Sequence, residues 1–143
     1  IDFGMHRVGF NSDMTRTFGI GEIGALEREI YEVVLAAQLA GVKAAVPGAE
    51  LVHVDKACRD VIAEAGYGEY FVHSTGHGVG LDVHEAPSAA RTGTGVLVEG
   101  MTLTIEPGIY IPGKAGVRIE DTLIITAAAP EVITEYPKDL TVL

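Results

Sequence analysis

Apolar residues between Glu22 and Gly66 recur at spacings of three and four, and this periodicity constrains the fold more than any other feature. Leu26, Ile30, Val33, Val34, Ala37, Ala40 and Ala44 form one stripe of an amphipathic helix that Pro47-Gly48 ends. Leu51, Val54, Cys58, Val61, Ile62 and Ala65 form the stripe of a second helix. Gly66 is placed to cap its C-terminus in the left-handed conformation. The flanking zones differ. Ile1 to about Gly21 consists of short apolar and β-branched stretches broken by Gly4, Gly9, Asn11 and Gly19, which predicts two or three strands joined by turns. Tyr67 to Leu143 is rich in Gly and β-branched residues, with strands predicted over Met101–Ile105 and Gly116–Thr126. Strands, two helices and strands again predict an α+β domain, a largely antiparallel sheet with both helices on one face. No internal repeat, low-complexity tract or linker interrupts it.

At 143 residues the chain can bury a sizeable core. Twenty acidic residues against ten basic give a formal net charge of −10. Nucleic acid and anionic membrane surfaces attract basic patches, so neither is expected as a partner. A cation site is permitted. The lone Cys58 excludes an internal disulfide, and a reducing, cytoplasmic compartment is expected. No run approaches the roughly 18 apolar residues of a membrane span, and no signal-peptide pattern opens the chain. Its first residues, Ile1-Asp2-Phe3-Gly4, lie in a strand-like stretch without an initiator Met. We therefore expect part of a longer protein.

Charged residues fall where a β-rich core should be apolar. Asp2 lies in the opening strand, and Asp13 follows in Asn11-Ser12-Asp13-Met14-Thr15-Arg16-Thr17, where a hairpin would set the two carboxylates side by side. His73, His77 and His84 fall within twelve residues, Glu106 ends a strand-like run before Pro107-Gly108, and Glu120 sits between Ile119 and Asp121. A carboxylate buried in a strand costs several kcal/mol, of order ~3 or more, unless something pairs with it. Ten basic residues must serve twenty acidic ones. Four carboxylates and one imidazole make a hard ligand set suited to Mn(II), Co(II), Zn(II) or Mg(II), and carboxylates can bridge two ions. Each residue also has a plainer reading: Asp13 as a turn or cap residue, the histidines as hydrogen-bonded structural groups, Glu106 and Glu120 as solvated strand ends. His6 and His53 have no motif around them, and Gly76, Gly78 and Gly80 lack the Lys and helix of a phosphate loop.

Five segments, taken together, resemble the metallopeptidase family of Xaa-Pro dipeptidases (prolidases), Xaa-Pro aminopeptidases and methionine aminopeptidases, which share the pita-bread fold. They are Ile1-Asp2-Phe3-Gly4, Ser12 to Phe18, His73 to His84, Thr104-Ile105-Glu106-Pro107-Gly108-Ile109-Tyr110 and Val117-Arg118-Ile119-Glu120-Asp121. They occur in the family's order and cover nearly the whole chain. Glu106 to Tyr110 and Val117 to Asp121 resemble the Xaa-Pro branch more than the methionine aminopeptidases.

The resemblance implies a centre of two divalent ions, Mn(II) foremost, with Co(II) or Zn(II) as alternatives. Asp2 would bind one ion, Asp13 and Glu120 would bridge both, and His77 with Glu106 would complete the second site. A water held between the ions would attack the peptide bond before proline, with Glu106 taking its proton. His73 and His84 resemble histidines that contact substrate, and Arg118 resembles the residue that holds the ligand network together. The implied partner is a proline-containing dipeptide or peptide, with a homodimer as the association to consider. In the family an earlier segment with its own strands, helices and catalytic His precedes the first metal-binding strand. Residues 1–143 are therefore read as the C-terminal portion of a pita-bread catalytic domain. The rival expectation is a catalytically silent metal-binding or structural fragment of such an enzyme.

Overall fold

The computed structural model describes residues 1–143. The N-terminal zone forms five two-residue strands where two or three are expected: β1 (Asp2–Phe3), β2 (His6–Arg7), β3 (Phe10–Asn11), β4 (Met14–Thr15) and β5 (Phe18–Gly19). Their brevity follows from the glycine and asparagine breaks between them. β2 and β3 close a small hairpin, while β1 and β4 pair antiparallel with Asp2 opposite Thr15. Asp13 lies two residues before Thr15, so the pleat carries its side chain to the same face as Asp2.

Helix α1 (Ala25–Ala44) and helix α2 (Leu51–Glu64) occupy the predicted stretches. Gly66 has φ +86°, and Tyr67 and Gly66 donate to the Ile62 and Ala63 carbonyls at 3.0 and 2.9 Å. Those two bonds satisfy carbonyls that the end of α2 would otherwise leave bare. The helices cross closely at Gly41, where a Cβ would stand 2.4 Å from Cys58 Sγ and 2.7 Å from Ile105 Cγ2.

After a single 3₁₀ turn at Gly68–Tyr70 come β6 (Gly76–Gly78), β7 (Glu85–Ala89), β8 (Thr102–Ile105), β9 (Gly108–Ile111), β10 (Ala115–Arg118), β11 (Asp121–Ile124), β12 (Glu131–Val132) and β13 (Thr141–Val142). β6 pairs with β7, β9 with β10, and β8 with β11 and β12, all antiparallel. β13 alone runs parallel to its partner, β5. The continuous strand expected over Gly116–Thr126 is broken at Ile119-Glu120. There the chain leaves β9 for β8, and Glu120 bridges to Thr15 instead, its N–H donating to the Thr15 carbonyl at 3.1 Å. The break turns Glu120 inward toward β4.

Both helices pack on the sheets through one core. Ile30, Val34 and Ala37 of α1 and Val54, Cys58 and Ile62 of α2 meet Leu103, Ile105, Ile109, Val117 and Leu123. Each large side chain here is nearly or fully buried, an effect of roughly 1.5–3 kcal/mol apiece. Ile105 belongs to that core and Glu106 follows it directly, so the packing fixes where the Glu106 carboxylate emerges. No helix is long and apolar enough to cross a membrane.

Candidate metal centre

The four sheet segments β1–β4, β6, the end of β8 and the β10–β11 break converge on one cavity of about 580 Å³. Asp2, Asp13, His77, His84, Glu106, Arg118 and Glu120 all line it. Of the eight residues singled out in the sequence, His73 alone does not. Its ring lines a neighbouring cavity of about 520 Å³, where Nε2 meets the Tyr110 hydroxyl at 2.9 Å and Nδ1 meets the Ser74 carbonyl at 2.8 Å.

One carboxylate oxygen each of Asp13 and Glu120 and a ring nitrogen of His77 lie within 4.8 Å of one another. His77 Nδ1 faces the Gly78 carbonyl at 3.0 Å, a contact that orients the ring. Nε2 then points inward, 3.1 Å from Glu106 Oε1 and 3.7 Å from Asp13 Oδ2. Glu106 Oε1 also accepts from Thr104 Oγ1 at 3.0 Å. On the opposite wall the Thr15 hydroxyl donates to Glu120 Oε2 at 2.6 Å and accepts from Arg118 Nε at 3.0 Å. Arg118 also donates to Asp2 Oδ2 at 2.6 Å. A single guanidinium thus ties Asp2 to Glu120 through one threonine. The His84 ring lies against that of His77, centroids 4.2 Å apart.

Four carboxylates share this cavity with one permanent cation, Arg118. The imbalance shifts Glu120, Asp13 and His77. Burial, then the nearby charge of Glu106, pushes Glu120 up to about 8. Asp13 is raised by burial and by Asp2. For His77 burial favours the neutral ring, but the hydrogen bonds to Glu106 and Gly78 override it and carry the ring up to about 9. In the metal-free chain a proton on Nε2 is the charge that these carboxylates gather around. A divalent cation would meet the same need with more charge, and an Nδ1–H held by a carbonyl leaves Nε2 free to bind it. The donor set fits one.

Behind the cavity wall Asp121 is fully buried. Burial alone would raise its carboxyl, yet hydrogen bonds from Lys138, Thr134 and Arg16 hold it below the usual range. Arg16 also donates to the Thr15 and Glu120 carbonyls, so this cluster steadies the backbone on both sides of Glu120. Sequence reading missed Thr15 and Tyr110 as parts of the site. The signal for Thr15 is its place two residues after Asp13, on the same face of a strand. Tyr110 carries no comparable signal, because its contact with His73 joins distant segments. His6, set aside for want of a motif, does line the cavity, exposed and paired with Asn11.

A model of metallopeptidase family M24 matches residues 1–127. The chain is 49% identical over 140 residues to an Xaa-Pro dipeptidase of Pyrococcus furiosus, covering 98% of this chain and 40% of that protein. Among solved structures, an Xaa-Pro dipeptidase from Bacillus anthracis superposes with a TM-score of 0.97 at 53% identity, over 99% of this chain and 40% of that one. An X-Pro aminopeptidase from Thermotoga maritima gives 0.95 at 39% identity, again over 99% and 40%. The chain thus spans about two fifths of the length of the relatives it matches. At the level of fold, the α+β reading and the kinship with the pita-bread domain are borne out.

Proposed function

Because the chain belongs to metallopeptidase family M24, we propose that it carries the dinuclear metal centre of a peptidase that cleaves the bond before proline. The observation that carries this reading is the convergence of Asp13, His77 and Glu120 among four carboxylates in one cavity. Asp2 and Asp13 would hold one ion, His77 and Glu106 the other, and Asp13 and Glu120 would bridge them. Bound there, two cations would supply Lewis-acid polarisation of the scissile carbonyl and acidify the attacking water. Glu106, with one oxygen held by Thr104, would serve as the proton acceptor for that water. His84, its ring tilted against that of His77 at the cavity, orients the peptide carbonyl. His73 acts from the adjoining cavity through the Tyr110 hydroxyl. Arg118 keeps Asp2 and Thr15 in place as the carboxylates ionise. The oxygen-rich donors favour Mn(II), with Co(II) or Zn(II) as alternatives. The names of the relatives support an Xaa-Pro substrate, and the single buried Cys58 supports a cytoplasmic setting. Residues 1–143 would form part of the catalytic domain.

One observation favours a second reading, a metal-binding fragment without turnover. Phe3 and Met5 at the cavity and Val8 and Phe10 on the adjoining β2–β3 hairpin are exposed, in a chain that spans two fifths of its relatives. Titration with Mn(II) and an Xaa-Pro dipeptide assay on the same sample separate the two. Two equivalents bound with metal-dependent hydrolysis supports the peptidase. Two equivalents without hydrolysis supports the silent fragment. Asp13→Ala or Glu120→Ala should reduce the bound metal to one ion or none, and two ions retained would sink the assignment of bridging ligands.

A further inference from the structure

We infer that Asp55 and Arg59 of α2 are positioning residues for the metal centre, acting through the backbone on its His77 and Glu106 and on the neighbouring His73. This rests on the metal-site reading above. The pair is an i, i+4 ion pair on the buried face of the helix, with Asp55 1% and Arg59 16% exposed at the side chain. Arg59 Nε donates to Asp55 Oδ2 at 2.6 Å and one terminal nitrogen to Oδ1 at 3.1 Å. A single buried pair of this kind is seldom a net source of stability, since both charges lose their water. Its hydrogen bonds show what it does hold.

The other hydrogen bonds of the pair all reach the segment Phe71–Thr75. Arg59 donates to the Phe71 carbonyl at 3.0 Å and to the carbonyl of His73. Asp55 Oδ1 accepts from the Thr75 amide at 3.1 Å and from the Thr75 hydroxyl at 2.9 Å. The guanidinium also lies over the Phe71 ring, 4.1 Å from its centroid, and that ring meets His73 edge-on. The Thr75 carbonyl in turn accepts the Glu106 amide at 2.7 Å. His77 is two residues further along the same strand run, its own amide bonded to Thr104 Oγ1 at 3.0 Å. One helix-borne ion pair therefore sets the backbone of His73 directly, of Glu106 through Thr75, and of His77 by continuity. Neither Asp55 nor Arg59 lines the carboxylate cavity.

The guanidinium fork is what the arrangement requires: two carbonyls and two carboxylate oxygens accept from one guanidinium, and a lysine ammonium cannot reach them together. Arg59→Lys keeps the charge and loses the fork. Asp55→Asn keeps one acceptor for Thr75 and loses the charge facing Arg59. Ile62→Val loosens the same helix in the core without touching this network. Each variant of the full chain is titrated with Mn(II) below its melting temperature, and its backbone amides and histidine rings are followed by NMR without metal. Arg59→Lys should weaken Mn(II) binding by about tenfold or more, Asp55→Asn should weaken it too, and Ile62→Val should leave it unchanged. Wild-type affinity in a folded Arg59→Lys chain overturns the inference. Should Arg59→Lys not fold, Asp55→Asn decides on the same criterion. If the wild-type chain binds no Mn(II), the metal reading fails and the metal-free spectra decide this one. Shifted His73 and His77 resonances with faster Glu106 amide exchange uphold it. Unchanged spectra overturn it.

Discussion

Gly76 offers a sharp perturbation of the proposed metal centre from outside it. A Cβ there would lie 1.7 Å from the Thr104 carbonyl oxygen and 2.6 Å from its carbon. Both are backbone atoms, so no rotamer change relieves the clash. A carbon and a carbonyl oxygen settle at about 3.3–3.6 Å, so Gly76→Ala must part β6 from β8 by roughly 1.6 Å. These are the strands that carry His77 and Glu106, whose contact is 3.1 Å. Overpacking of this kind costs about 1–3 kcal/mol. For a domain of this size that lowers Tm by roughly 3–10 °C. A misplacement of an ångström or more at a catalytic constellation costs on the order of a hundredfold. The assay is a melting curve by circular dichroism together with Mn(II) titration of the folded variant. Expected are the lower Tm and affinity weakened by at least about tenfold. A Gly76→Ala chain with wild-type melting and wild-type affinity refutes the argument, because it would mean that the two strands can separate without disturbing the ligands.

Thr15→Val removes the hydroxyl between Glu120 and Arg118 while keeping the shape. The buried Glu120 and the partly buried Arg118 then each lose a partner, at a cost of about 1–2 kcal/mol, readable by urea denaturation. Gly41→Ala places a methyl against Cys58 Sγ and Ile105 Cγ2. The crowding outweighs the helix-propensity gain of about 1 kcal/mol, so Tm should fall; a rise would show that the helices can separate freely. For pH, folded Glu120 keeps its proton up to about 8 against an ordinary 4.5, and His77 keeps its own up to about 9 against 6.5. Both raised values give the same sign: the stability they contribute is complete below the ordinary pKa and is lost as pH rises through the folded one. The metal-free chain should therefore melt progressively lower from pH 5 to pH 9, and Mn(II) should raise Tm most at the alkaline end. A flat profile after chelation would contradict the charge crowding described for the cavity.

The helices were legible because their signals are local. Spacings of three and four, Pro47-Gly48 and Gly66 are each read within a few residues; α1 contains the whole first stripe and ends before Pro47, and α2 ends one residue short of the expected Ala65. The sheet was legible only in class. Five strands of two residues carry too few side chains to show alternation, and the break at Glu120 is decided by Thr15, more than a hundred residues away in sequence. A run such as Val117 to Ile125 looks like one strand because apolar and β-branched residues dominate it. Nothing within the run tells that the pairing partner changes midway.

The candidate site divides along the same line. Asp2, Asp13, Glu106 and Glu120 stood out because each sets a charge where the chain's pattern calls for an apolar or solvated group, and such a conflict needs a partner outside the local sequence. The structure gathers these conflicts in one cavity, where a single guanidinium cannot answer four carboxylates. Thr15, Asp55 and Arg59 present no such conflict. A threonine suits a strand, and an acidic residue four before an arginine suits any helix surface. Their significance comes from where the tertiary structure buries them. Residues proposed to bear the chemistry are therefore exposed by their cost, while those proposed to aim them look ordinary until the fold is known. It follows that a substitution preserving local propensity, such as Arg59→Lys in mid-helix, is the kind that sequence alone would pass as neutral and that this architecture does not tolerate.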